Sequence, residues 1–473
     1  MGKYKSLAKN SLFVFIGNIG SKAIGFLMLP FYTSWLSVEQ YGTIDLVTVY
    51  VSLLLPFVSF SLTSAIFAVP VGASKKKQGE YFTIGLLFVS LFISITSILA
   101  CLAVRICCLH EGVFSQYFVF ICVMLYTSFL QTYLQQFCMA IDKMFIFSFT
   151  GIVLSGATAI FGFLLIPNGG IEGYLQSIIA ANIVTIIVTA VVMKAHEYIR
   201  IKNLKISLLK EMLKYSTPMI PNALLWWIIA SFNRVTMNQY VGVYYIGLYA
   251  IASKLPSILT SLINPLSNAW KLSVIQEYKN DSFNKYYSNV SQVVVMTVAL
   301  GTIFLGLLSE LIIKLITDAD YYSSWIYSPI LMLSIVFVTL DQMVAPIFMA
   351  YRKTNNFLYA SMCGALFGVI LNYILIPYLG IWGGVISMVG SHAMLSFVQL
   401  FLSWKYEKNN SMPSVLIFLI IAVLCNIVLT IFKNYYISIL LTIIAAFVYY
   451  MYNKKQICLL QSIITQRIKH SDE

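Results

Sequence analysis

Residues 84–104, IGLLFVSLFISITSILACLAV, run for 21 positions without a charged side chain. Residues 415–432, VLIFLIIAVLCNIVLTIF, are likewise uncharged. A bilayer core is crossed by roughly 20 apolar residues in a helix. Hydrocarbon offers no partner to a bare peptide group, so a spanning segment closes its own hydrogen bonds as a helix or a closed barrel. Uninterrupted runs of this length specify helices. Only 10% of the chain is charged, against about 25% in an average soluble domain. The sequence therefore reads as an all-α integral membrane protein.

Breaks between apolar segments predict about fourteen transmembrane helices. They cover roughly 11–36, 44–70, 82–108, 114–139, 147–166, 173–193, 215–238, 246–270, 287–309, 325–350, 357–377, 381–404, 413–432 and 435–452. The first apolar segment is too long for a signal-peptide core, and no small-residue cleavage site follows it.

The net charge of +13 is explained by its placement. One set of alternate loops, with both termini, holds Lys3, Lys5, Lys9, Lys75–Lys77, Lys143, the run from Lys194 to Lys214, Lys271, Lys279, Lys285, Arg352, Lys353, Lys405, Lys408 and the tail. That is 24 of the 30 basic residues, all but Lys22, Arg105, Arg234, Lys254, Lys314 and Lys433. The opposite loops SVEQYGTID, PNGGIE and NQYVGVYY hold none. The positive-inside rule places the first set in the cytoplasm. The expectation is a multi-pass membrane protein with both termini in the cytoplasm and no nucleic-acid partner.

Two stretches have helical amphipathicity. Leu204, Leu208, Leu209, Met212 and Leu213 share one face of NLKISLLKEMLK, and Ile457, Leu460, Ile464 and Ile468 share one in the tail. Both read as helices lying on anionic lipid. None of the 8 cysteines forms a C-x-x-C pair, and they read as small apolar packing residues.

The chain repeats itself. MAIDKMFIF…LLIPNGGIEG and MAYRKTNNF…ILIPYLGIWG align without gaps at an offset of 210. Residues 139–180 share 12 of 42 positions with 349–390, including Lys143/Lys353, Pro167/Pro377, Gly170/Gly380 and Gly173/Gly383. LSVEQYGTI matches VGVYYIGLY at an offset of 205. Six helices per copy give both copies the same orientation. This predicts two six-helix lobes, 1–200 and 201–408, related by a pseudo-two-fold axis along the membrane normal with a cavity between them. Two extra helices and a tail, 409–473, lie outside the repeat.

Motifs for chemistry are missing. There is no G-x-x-x-x-G-K-[ST], no G-x-S-x-G and no H-E-x-x-H. The four histidines are scattered, and His392 reads as a packed, hydrogen-bonded residue. No catalytic or metal-binding residue is expected, and the loops are too short for an extramembrane catalytic pocket.

What stands out is charge inside predicted helices: Lys22, Arg234, Lys254 and Asp341. Each costs about 2.5–3.5 kcal/mol at a helix centre on insertion scales, so such groups face a wet cavity or pair. A buried pair such as Lys254 with Asp341 is one reading. One acid does not neutralise three bases, and the excess positive charge suits an anionic substrate. At an offset of 205, Lys22 falls opposite Trp227 and Lys254 opposite Val49, so packing inherited from the repeat does not require either lysine. Asn18, Tyr32, Trp226, Trp227, Asn233, Tyr249 and Asn268 are candidate sugar contacts by hydrogen bonding and stacking.

The stretches GNIGSKAIGFLMLPFYTSWLSVEQYGTIDL and TPMIPNALLWWIIASFNRVTMNQYVGVYYIGLYAIASKLPSI resemble the Wzx-type O-antigen and capsule flippases. These belong to the multidrug/oligosaccharidyl-lipid/polysaccharide (MOP) exporter superfamily, and the resemblance spans the whole chain. It implies a MATE-like fold and no enzyme activity. It implies alternating-access transport of an undecaprenyl-diphosphate-type lipid-linked oligosaccharide from the cytoplasmic to the outer leaflet, for O-antigen, capsule or exopolysaccharide synthesis. It also implies contact with membrane lipids and with a polysaccharide polymerase machinery. In that family basic cavity residues meet the diphosphate, which carries over to Lys22 in GSK, Arg234 in SFNR and Lys254 in IASK. The family often has an acid before that arginine, where this chain has Asn233. No cofactor is expected. The driving force is the membrane potential, a gradient of H⁺ or Na⁺, or both, with Asp341 as the candidate coupling or counter-charge residue. The alternatives are a multidrug or organic-cation exporter, whose cavity is acidic, and a membrane glycan-assembly enzyme, which needs a large outer loop.

Overall fold

The computed structural model describes residues 17–106, 112–201, 204–407, 411–432 and 435–469, with the side chains of 102–106, 432, 435 and 455–469 left aside. Arg105, Lys433 and the amphipathic face expected in the tail fall outside these limits. Among the described residues the secondary structure is helical, with no strand. The helices are α1 (17–27), α2 (Leu29–Trp35), α3 (Val38–Val58), α4 (Leu62–Ala68), α5 (Lys75–Ile106), α6 (Val113–Gln116), α7 (Phe118–Ala140), α8 (Met144–Met193) and α9 (Ile206–Ser216). They continue as α10 (Met219–Tyr240), α11 (Val243–Ala252), α12 (Lys254–Glu277), α13 (Phe283–Ile316), α14 (Ser328–Ala350), α15 (Thr354–Leu379), α16 (Ile381–Ser403), α17 (Met412–Phe432) and α18 (Tyr435–Lys469). Ten are long and apolar enough to cross a membrane, and the bent pair α11–α12 makes an eleventh. Met144–Met193 counts once among them, although Gly170 divides it.

Burial follows the logic of a lipid solvent. Small polar side chains such as Thr150, Asn182, Thr185, Ser361 and Asn372 lie inside, while Leu91, Ile98, Ile187, Leu366 and Phe401 are exposed. Lipid tails are as apolar as leucine, so helices associate through close packing and small residues rather than through the hydrophobic effect.

The chain forms two compact units. The first comprises Met1–Ala250 with Ile316–Tyr321, and the second Ile251–Leu315 with Tyr322–Glu473. The repeat divides the chain near residue 200; packing divides it after Ala250, because α10 lies on α3 in the first unit. A short segment returns to that unit, where the Tyr321 hydroxyl donates to the Leu36 carbonyl at 2.9 Å and the Asp318 amide donates to Thr33 Oγ1 at 3.1 Å.

The repeat is visible in backbone detail. Gly170 divides α8 with φ 53° and ψ −125°, and Gly380 divides α15 from α16 with φ 58° and ψ −129°. Each follows a proline by three residues and reverses the chain between two spans. Three residues further on, a Cβ on Gly173 would lie 2.2 Å from the Leu165 carbonyl oxygen, and one on Gly383 would lie 2.5 Å from the Leu375 carbonyl carbon. Leu165 and Leu375 are themselves one repeat apart.

Gly42 of α3 and Gly247 of α11 form a second matched pair. A Cβ on Gly42 would lie 1.9 Å from the Val243 carbonyl oxygen, and one on Gly247 would lie 2.0 Å from that of Val38. Val38 and Val243 are also equivalent at an offset of 205. The two helices therefore cross through the same patch used twice, which only the absence of side chains permits.

Two sequence expectations change. The second span begins at Val38 rather than near 44, because Ser37 and Gln40 form a capping box: the Gln40 amide donates to Ser37 Oγ at 3.2 Å, and the Ser37 amide to Gln40 Oε1 at 3.0 Å. Satisfying two otherwise bare amides starts the helix a turn and a half early, and Asp45 moves from the start of the helix to its third turn. The amphipathic linker helix α9 packs on protein instead of lying on lipid. Leu208 and Met212 are buried in a cluster with Tyr81, Phe82, Phe129, Tyr133 and Phe137. Leu204 and Ile206 stay exposed. The linker ahead of it is pinned as well. The Arg200 amide donates to Thr83 Oγ1 at 2.8 Å, Lys75 pairs with Glu197, and Lys143 Nζ donates to the Met193 carbonyl at 3.0 Å.

The second unit is built on α12, α14, α16 and α17, around Trp270, Val336, Leu340, Phe348 and Phe418. Trp270 Nε1 donates to the Met343 carbonyl at 2.9 Å, and Ser396 Oγ donates to the Phe337 carbonyl at 2.7 Å. His392 is buried with its Nδ1 2.9 Å from the Met388 carbonyl, as expected of a packed histidine.

Candidate substrate site

In the first unit α3 and α10 run antiparallel, and positions two helical turns apart meet in order. Arg234 of α10 reaches Asp45 of α3, its Nε donating to Oδ2 at 2.7 Å. Seven residues earlier on α10, Trp227 Nε1 donates to the Val49 carbonyl and to Ser52 Oγ, each at 3.2 Å. The guanidinium is held on further sides. Nη1 donates to the Ala230 carbonyl at 3.0 Å, and the Tyr249 ring lies 4.9 Å from Cζ. Asn233 donates to the Tyr249 hydroxyl at 2.6 Å. The Arg234 and Asp45 side chains keep 13% and 20% of their surface exposed.

This geometry gives the predicted residues distinct places. Asn233 and Tyr249 are fully enclosed, and they support Arg234 rather than offering surface to a sugar. Tyr32 is also buried, edge-on to Tyr174 at 5.2 Å. Trp226 and Trp227 are half-buried, and Asn18 and Lys22 are exposed on α1. In the second unit Lys254, half-buried, opens α12, and Asn268 is exposed on the same helix.

Asp341 is buried in α14, and its Oδ1 has no hydrogen-bond partner among the described residues. The Gln399 side chain of α16 faces it, and neither amide atom meets a partner in hydrogen-bond geometry among the described residues. Lys271 is a base in its electrostatic field.

The residue that sequence reasoning missed is Asp45. Its place in a helix was announced by Ser37-x-x-Gln40, the capping-box spacing.

Residues 7–270, more than half of the chain, match the model of a family described as polysaccharide biosynthesis protein. The chain belongs to that family. A Shigella dysenteriae protein described as a candidate O-antigen transporter is 24% identical, over 83% of this chain and 99% of that protein. Solved structures of transporters share the fold. The inward closed lipid II flippase MurJ superposes with a TM-score of 0.70 at 15% identity, covering 95% of this chain and 100% of that one. An inward-facing MATE-family multidrug transporter of the MOP superfamily superposes with a TM-score of 0.67 at 16% identity, covering 83% and 94%. The all-α, MATE-like membrane architecture read from the sequence is thus the observed one.

Proposed function

We propose that this protein is a flippase that carries a lipid-diphosphate-linked oligosaccharide across a bacterial cytoplasmic membrane for surface polysaccharide synthesis. The observation that carries the reading is membership of the polysaccharide biosynthesis family by a chain whose fold is that of a transporter. The substrate is a polyprenyl-diphosphate sugar of the undecaprenyl type, taken up with both termini of the protein in the cytoplasm. It is passed to the polymerase machinery on the far side.

Lys22, Arg234 and Lys254 are the proposed diphosphate ligands. A guanidinium set in a membrane helix with part of its surface open is worth its insertion cost where an anion visits. Trp226, Trp227, Asn18 and Asn268 retain surface for sugars. The cytoplasm is electrically negative, so outward movement of an anion is favoured by about 2.3 kcal/mol per charge per 100 mV. Asp341 is the proposed coupling site for H⁺ or Na⁺. A buried carboxyl oxygen without a hydrogen-bond partner gains from a proton or a small cation.

The test is reconstitution in liposomes with a fluorescent lipid-diphosphate oligosaccharide. Wild-type protein is expected to move the lipid between leaflets, and Lys22→Ala and Arg234→Ala to slow it. Unchanged rates in both variants would overturn the proposed site, and no movement in the wild type would overturn the flippase reading.

A further inference from the structure

Arg234 enters the site already engaged. Its Nε edge is bonded to Asp45 at 2.7 Å, one Nη1 donor to the Ala230 carbonyl, and the guanidinium carbon lies 4.9 Å from the Tyr249 ring centroid. These are its polar partners among the described residues, which leaves the Nη2 donors for a ligand. Arginine suits such work because its five donors are fixed in one plane. Three contacts fix the direction in which that plane points.

The charge balance matters as much as the direction. Asp45 compensates Arg234 in a medium where unit charges interact strongly. An incoming diphosphate therefore meets a guanidinium whose charge is shared. A carrier must release what it binds, and an uncompensated arginine in low dielectric would hold a diphosphate too tightly for turnover. We infer that Asp45 is a positioning residue that aims Arg234 at the diphosphate and weakens its grip, so that Asp45 sets the rate of release. This inference rests on the flippase reading above.

The test uses the full protein in nanodiscs, with binding of a polyprenyl-diphosphate-linked sugar, and in liposomes, with its transport. Asp45→Asn is expected to bind about tenfold more tightly while kcat falls, since removal of a close negative charge strengthens an anion's hold. Asp45→Glu, which keeps the charge, is expected to bind as the wild type does. A purely structural role moves affinity and turnover down together, so weaker or unchanged binding in Asp45→Asn overturns the inference.

If Asp45→Asn does not fold, Arg234→Gln is compared with the double variant Asp45→Asn/Arg234→Gln. An unmatched Asp45 repels the diphosphate, so the single variant is expected to bind more weakly than the double. Equal binding overturns the role given to Asp45. Absence of any lipid-diphosphate binding by the wild type is a different result: it overturns the flippase reading on which this inference rests.

Discussion

Gly170 and Gly380 lie 210 residues apart and share one backbone conformation, with φ 53° and 58° and ψ −125° and −129°. Positive φ with strongly negative ψ is a region that side chains enter at a cost. Alanine at either position is expected to destabilise the protein by about 1–3 kcal/mol. The two losses should be similar, because the turns are equivalent. Thermal unfolding of detergent-solubilised protein checks this, with Gly156→Ala as the control. That glycine has open space around its Cβ position and lies in a helix interior, so its replacement should be neutral or slightly stabilising.

Met212 has no exposed surface and sits with Leu208 among the aromatic rings of α5 and α7. Met212→Ala is expected to cost about 2–5 kcal/mol, as for other large-to-small changes at buried sites. Ile206→Ser, at an exposed position of the same helix, should cost far less. Proteolysis of the linker under native conditions distinguishes them, with faster cleavage expected in the first variant.

Lys75, hydrogen-bonded to Glu197, holds the Glu197 carboxyl below the usual carboxylate range. A lowered folded-state value contributes stability that is complete above the unfolded value, about 4.3 for a free glutamate. That stability is lost as pH falls through the folded value. The difference in unfolding temperature between wild type and Glu197→Gln should therefore be constant near neutrality and close on acidification below about pH 4. A gap that persists in acid would mean that Glu197 acts through something other than its charge.

Asp341→Asn should keep transport driven by the membrane potential and lose its response to an imposed H⁺ or Na⁺ gradient. Liposome transport under each gradient separately measures this. A full gradient response in the variant would remove Asp341 from coupling.

The fold was legible because its signals are long. Uncharged runs of some 20 residues, basic loops in alternation and a repeat with matched Pro and Gly positions each survive an error of several residues at a helix end. The site was less legible because a shift of one and a half turns decides it. With the second span begun at 44, Asp45 sat at its very start, on the edge of the loop SVEQYGTID, and Arg234 read as an unmatched base. The capping box moves the start to Val38 and supplies the partner. Tyr249 and Trp227 show a related limit. An aromatic residue near a charge has the same one-letter signature whether it is buried beneath that charge or open to a sugar. The amphipathic face of α9 likewise announced an apolar contact without saying whether lipid or protein provides it.

The crossing of Gly42 with Gly247 has one more consequence. Gly42 rests on Val243 while Gly247 rests on Val38, so residue i meets residue j and the equivalent of j meets the equivalent of i. That reciprocity defines an isologous interface, the kind that joins two identical subunits. A half-length protein with one repeat would carry both faces of this contact on its own surface. The fused chain thus retains, inside a single polypeptide, the self-complementary geometry of a homodimer.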